Sequence, residues 1–137
     1  MGLDVGTKTI GVALSDPLAM FAQPERTLSR KGVKADVAVL DALATERDVV
    51  HIVVGLPFEL DGSEARSARL ARQIGEALRE LGWSVSYVDE RYTSVQAERS
   101  LIAMGARRDK RKQVIDQAAA GIILQSWLDH GDQLAEP

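Results

Sequence analysis

Leu3-Asp-Val-Gly-Thr-Lys-Thr-Ile-Gly-Val-Ala-Leu-Ser-Asp16 decides how this chain folds. Leu3 to Gly6 and Ile10 to Ser15 are apolar runs separated by a short turn-forming segment, Gly6-Thr7-Lys8-Thr9. Strand, tight turn, strand is a hairpin. Asp4 stands inside its first strand, between Leu3 and Val5. Acidic residues are depleted in strand interiors. A carboxylate there is expected near the end of the sheet or held by a cation. A surface-facing Asp beside a turn is the blander alternative, and it fits less well if this strand is central and covered.

Outward from the hairpin, helix and strand alternate. Thr27 to Ser29 can form a third strand, after the breaker Pro24. Val33, Val37, Leu40 and Ala44 recur at spacings of three and four, which predicts an amphipathic helix over Val33 to Arg47. Val49 to Val54 is a continuous, β-branched-rich run ending at Gly55, the pattern of a strand buried on both faces of a parallel sheet. Leu56 to Gly62 is a loop. Ser63 caps a helix running to about Leu81, where Gly82 suits its end. Trp83 to Val88 is another strand, followed by Asp89-Glu90-Arg91, and Thr93-Ser94-Val95-Gln96 fits a capping box that opens a helix to about Met104. A basic loop, Gly105 to Lys112, leads into the last helix, Gln113 to about His130, and a polar tail covers Gly131 to Pro137. The order predicts an α/β sheet with an antiparallel hairpin at one side and helices covering it.

Composition bounds the rest. A chain of 137 residues implies one domain, 1–130, with the tail 131–137 outside it. The 45% hydrophobic and 27% charged fractions are those of a globular protein. No cysteine is present, which excludes disulfides, thiolate zinc sites and Cys nucleophiles. Only His51 and His130 occur, which argues against His-dependent catalysis. No apolar run approaches the ~20 residues that span a bilayer, and no basic region followed by an apolar stretch marks a secretory signal. A cytoplasmic protein without a membrane role is expected. The first strand begins almost at Met1, leaving room for native residues upstream.

Three acidic positions could meet. Asp89 and Glu90 follow the last strand, where open α/β sheets form binding sites. Taken alone, a solvated strand end with Arg91 as counter-ion explains them. Asp116 lies near the start of the last helix, in line with Ala119, Ala120 and Ile123, over its buried stripe. Favourable placement in the first turn, worth about 0.3–1 kcal/mol, would not require that inward position. Converging carboxylates repel one another, and burial favours their protonated form. A divalent cation keeps them ionised, and Mg²⁺ or Mn²⁺ suits an oxygen-donor set. Two such ions about 3.5–4 Å apart clamp the attacking and leaving oxygens of a phosphodiester, with no His base required.

The Asp4 to Thr9 hairpin is not a P-loop: Thr7 precedes Lys8 where Gly is needed, and a strand follows where a helix is needed. A glycine turn whose amides and Lys8 approach a phosphate remains open beside simple turn-forming roles for Gly6 and Gly11. Arg107, Arg108, Lys110, Arg111 and Lys112 surround one Asp for a local charge of +4; the rest of the chain carries −7, the difference between the net −3 and that loop. A like-charge run is usually a solvated loop, but this one precedes the helix of Asp116, and a nucleic-acid backbone would lie there. Arg66, Arg69 and Arg72 fit a solvated helix surface. His51 fits a satisfied core or strand-end position, and Trp83, Trp127, Tyr87 and Phe58 fit the core. Tyr92, beside Arg91, is the aromatic placed to stack on a base.

Five segments in order resemble the YqgF/RuvX family: Leu3 to Asp16, Val53-Val-Gly-Leu-Pro57, Leu60-Asp-Gly-Ser-Glu64, Asp89-Glu-Arg-Tyr-Thr93 and Ile115-Asp-Gln-Ala-Ala119. The resemblance runs from Leu3 to about Leu128. That family is similar to Holliday junction resolvases of the RNase H-like fold and is described as a pre-16S rRNA nuclease. The resemblance implies an RNase H-like mixed five-stranded sheet with an antiparallel N-terminal hairpin. It implies metal-dependent phosphodiester cleavage in the bacterial cytoplasm, at the 5′ end of 16S rRNA during ribosome maturation. By motif, Asp4 and Asp116 match the family's strand and helix carboxylates, and Asp89 and Glu90 its acidic pair. Alternation puts that pair on opposite sides. The hairpin's usual Arg is Thr9 here, and the Leu after Asp-Glu-Arg is Tyr92; both changes bear on nucleic-acid contacts.

The expected partners are therefore pre-rRNA, branched or single-stranded DNA, and ribosomal particles, bound by a monomer or homodimer. Junction resolution is the runner-up within the nuclease class. A non-catalytic RNA-binding module would lack carboxylates that are all present. The ATP-binding actin and sugar-kinase superfamily also opens on an Asp-x-Gly hairpin but needs two such domains.

Overall fold

The hairpin forms where the sequence predicts it. In a computed structural model that describes residues 1–57, 66–89 and 119–129, β1 (Gly2–Val5) pairs antiparallel with β2 (Thr9–Ser15). Leu3 lies opposite Val12 and Asp4 opposite Gly11. The Gly6 amide donates to the Thr9 carbonyl at 2.8 Å and closes the turn. With β3 (Ala22–Ser29), β4 (Ile52–Leu56) and β5 (Val85–Asp89), the sheet has five strands in the order β3-β2-β1-β4-β5. Strands β1, β4 and β5 are mutually parallel, so their carboxyl ends share one edge. The central position expected for β1 is observed, and β4 is buried along its whole length.

Two helices, α1 (Val33–Glu46) and α2 (Arg66–Glu80), pack on one face against Leu3, Val5, Val54, Leu56 and Tyr87. The helical residues 119–129 cover the other face, where Ala120, Ile123 and Leu124 bury Ala13, Val53 and Val88. Both faces of the central strands are therefore dry, which is why their sequences run apolar without alternation.

The boundaries that shift have local causes. Strand β3 begins at Ala22, five residues before the expected Thr27, and includes Pro24. It is an edge strand, and the register slips between Val12 and Ala13, which face Arg26 and Pro24. A proline without an N–H is tolerated at such a bulged edge. Strand β4 starts at Ile52 because Val49 is used otherwise: its amide donates to the Ala44 carbonyl and caps α1, with Asp48 at φ 55°. The end of α2 repeats this device. Trp83 donates to Leu78 and Gly82 to Arg79, with Gly82 at φ 101°, a Schellman closure. Strand β5 consequently begins at Val85 and takes in Asp89 as its last residue. The expected loop beyond Pro57 with the core candidate Phe58, the Ser63 cap, the helix at 93–104, the basic loop, the start of the last helix at 113–118, His130 and the tail lie outside the described residues.

Candidate active site

Asp4 stands one residue from the end of the central strand, half-buried, on the sheet face covered by residues 119–129. Its cross-strand partner on β2 is Gly11. On the other side Leu3 pairs with Val54, so the next position along β4 is Gly55. The floor around the Asp4 carboxylate thus has no side chain on either flanking strand.

The direction of the covering helix follows from its contacts. A Cβ on Gly2 would sit 2.7 Å from Leu124 Cβ and 2.9 Å from the Ala120 carbonyl, so this glycine lets the helix approach β1 closely. Trp127 stacks on His51 with ring centroids 4.5 Å apart, just before the start of β4. Leu124, Trp127 and Leu128 also line a cavity of about 620 Å³ with Met1, Ser15 and His51. Higher numbers therefore lie at the amino end of β1, and lower numbers run toward Asp4. Gln125 fixes the helix sideways: its Oε1 accepts from the Ala22 amide at 2.8 Å, and its Nε2 donates to the Met20 carbonyl at 2.9 Å.

Asp89 closes β5 opposite Leu56, two residues after Tyr87, which faces α1 and α2. By strand alternation Asp89 belongs to that face, opposite to Asp4. The sequence alone left this open. Lys8 is exposed at the tip of the hairpin turn. Glu90, Arg91, Tyr92, Arg107, Arg108, Lys110, Arg111, Lys112 and Asp116 lie outside the described residues. Among the described residues no group of three His, Cys, Asp or Glu gathers into a metal site. The chain has no cysteine and only two histidines, so its donors for a metal are mainly oxygen ligands. His51 sits at the far end of the sheet, with Nδ1 2.7 Å from the Ser84 hydroxyl and Nε2 2.9 Å from that of Ser86. That is the satisfied strand-end role expected for it.

One cluster beside the turn has no counterpart in the expected site. Arg30 Nε donates to Asp36 Oδ2 at 2.7 Å, and Arg30 Nη1 donates to the Gly6 carbonyl at 2.9 Å. Asp36 Oδ1 accepts from the Lys31 amide at 2.9 Å. Burial pushes the Asp36 carboxyl up, but the Arg30 hydrogen bond, the Lys31 amide and the guanidinium charge together hold it below the usual carboxylate range. Asp36 lies in the first turn of α1, where its sequence position suggests only a favourable helix-end charge. Of the aromatics, Tyr87 is core, and its hydroxyl donates to Glu76 at 2.7 Å. Trp83 packs against the core and donates from Nε1 to Asp41 at 2.8 Å. Arg69 is exposed as expected, while the Arg72 guanidinium lies 5.3 Å from the Tyr87 ring centre.

The sequence and the fold are similar to those of known proteins. A family model described as "RuvX: Holliday junction resolvase" matches residues 1–130. A Myxococcus xanthus protein named "Putative pre-16S rRNA nuclease" is 48% identical over 130 residues, covering 94% of this chain and 86% of its own length. A Moorella thermoacetica protein of the same name is 48% identical over 130 residues, covering 94% and 93%. Among solved structures, T. thermophilus RuvC in complex with a Holliday junction substrate is similar at a TM-score of 0.60 and 16% identity, over 99% of this chain and 96% of that one. The likeness shows the shared fold, an RNase H-like mixed sheet with helices on both faces.

Proposed function

The chain belongs to the RuvX family and is a nuclease; from that premise we propose that it hydrolyses phosphodiester bonds of pre-16S rRNA at the 5′ end, using bound Mg²⁺ or Mn²⁺. The rRNA substrate rests on the name shared by the relatives at 48% identity, and it carries with it a cytoplasmic setting and contact with ribosomal particles.

The observation that carries the site is Asp4 between two glycine positions, under a helix whose lower numbers run toward it. Asp116 comes before Ala120 in the sequence, and the lower numbers of the described helix run toward Asp4, which supports pairing the two carboxylates. Asp89 belongs to the opposite face, so alternation favours Glu90 as the third carboxylate and leaves Asp89 a supporting role. The bound cation supplies a water of lowered pKa and a counter-charge for phosphate oxygens. Asp4, Glu90 and Asp116 are the residues that would hold that cation. Lys8, Arg91 and the basic positions Arg107, Arg108, Lys110, Arg111 and Lys112 hold the nucleic-acid backbone, and Tyr92 offers a stacking surface.

The test is cleavage of a 16S precursor carrying its 5′ extension, single-stranded RNA, single-stranded DNA and a four-way junction, with Mg²⁺ or Mn²⁺. Wild type is expected to cut the precursor. Asp116→Asn and Glu90→Gln should each lose more than about 100-fold in rate, a barrier increase of about 2.7 kcal/mol, while still binding RNA. Asp89→Asn should retain most of the rate. Full cleavage by Asp116→Asn would sink the site assignment, and preferential cutting of the junction would favour the resolvase reading.

A further inference from the structure

We propose that Arg30 is a positioning residue: locked by Asp36, it fixes the Gly6–Thr9 turn and through it the Asp4 carboxylate and the Lys8 ammonium. This rests on the nuclease reading of Asp4 and goes beyond it, because neither Arg30 nor Asp36 belongs to the carboxylate set.

The turn needs an external hold. It contains a glycine and leaves Lys8 exposed, while its own closure is the Gly6-to-Thr9 bond. Arg30 grips it twice. Its backbone amide donates to the Lys8 carbonyl at 2.9 Å, and its Nη1 donates to the Gly6 carbonyl at 2.9 Å. Gly6 is two residues after Asp4 in the chain, and Lys8 is the turn's cation. The remaining side of the guanidinium is held by Asp36, on the first turn of α1. The two side chains are 11% and 4% exposed, so neither swings freely in water. The path therefore runs from a helix packed on one face of the sheet, through Arg30, to the turn that follows the carboxylate on the other face.

An ion pair this buried is a poor choice for stability alone, since apolar replacements of similar volume often do as well or better. Its geometry is what a positioning role requires. A planar fork bonds the carboxylate and the carbonyl from two nitrogens held at fixed separation. Lysine keeps the charge but offers its donors from a single nitrogen on a flexible stem, so it loses that fixed geometry. Misplacement of about 1 Å at a reacting group can cost about 100-fold in rate.

The experiment compares wild type with Arg30→Lys by single-turnover and steady-state cleavage of the 16S precursor, by RNA binding, by the Mg²⁺ concentration for half-maximal rate, and by amide hydrogen exchange. The expected result for Arg30→Lys is kcat lower by about 10–100-fold, with RNA affinity within threefold, a raised Mg²⁺ requirement, and faster exchange at the Gly6 amide while Leu3 and Val54 stay protected. A merely structural pair would instead leave kcat of the folded fraction unchanged. Unchanged kcat with unchanged Gly6 exchange overturns the proposal, and so does faster exchange with unchanged kcat. If Arg30→Lys does not fold, Asp36→Asn is read by the same measurements, with the same results expected and the same results overturning it. If wild type cleaves nothing, the nuclease reading fails by itself, and Arg30 as a positioning residue for it is overturned too, whatever the exchange rates show.

Discussion

Asp36 is the most deeply buried charged side chain among the described residues, and its neighbours decide how its charge behaves. Burial raises its carboxyl, and Arg30 with the Lys31 amide lowers it further than burial raises it. A carboxyl whose folded pKa lies below its unfolded value of 3.8 contributes stability that is fully present above that value. The contribution is lost as pH falls through the folded pKa. Removing one partner of such a pair leaves a buried charge uncompensated, at about 3 kcal/mol. Asp36→Asn is therefore expected to melt well below wild type at pH 7, with the gap closing as pH falls below about 3.8. Thermal melts of both proteins from pH 7 to pH 3 check this, and a constant gap across that range would contradict it. None of this was legible in the sequence. Asp36 in a first turn resembles any helix-end acid, and its link to Gly6 through Arg30 spans residues that only the fold brings together. The placement of Asp4 in a central strand, by contrast, was legible, because the apolar residues around it mark a covered strand.

Helices and strands meet on terms set by small residues. Gly2 lets the helix of Ala120 and Leu124 rest directly on β1, at a spacing where any Cβ would meet the Ala120 backbone carbonyl. Since backbone must yield, Gly2→Ala is expected to cost about 1–3 kcal/mol. It should also lower cleavage if the nuclease site lies as proposed, because that helix covers the sheet face on which Asp4 stands. Melting temperature and rate measured together test this; a variant that melts like wild type and cleaves at full rate would contradict the packing. The existence and type of these elements were readable from periodicity, but their ends were not. Val49 and Trp83 look like strand residues, yet each closes the preceding helix. Those shifts matter at the site. A one-residue slip reverses which side chain faces which side of the sheet, so the side on which Asp89 stands could not be read before its pairing with Leu56 was known.

At the scale of the whole molecule, charge and topology divide the labour. The net charge of −3 is a +4 stretch, Arg107 to Lys112, set against a −7 remainder to which the proposed carboxylates belong. The parallel strands β1, β4 and β5 end along one edge, while His51, Trp127 and the 620 Å³ cavity occupy the other. The nuclease reading thus depends on one end of one sheet, and Asp4 is its fixed point on the central strand. The decisive measurement is the rate at which wild type and Asp4→Asn cleave a 16S precursor with its 5′ extension at saturating Mg²⁺, with RNA binding measured alongside. Wild type should cleave and the variant should be slower by more than about 100-fold, with RNA affinity preserved. Equal rates for the two proteins would contradict the assignment of this carboxylate to the reaction.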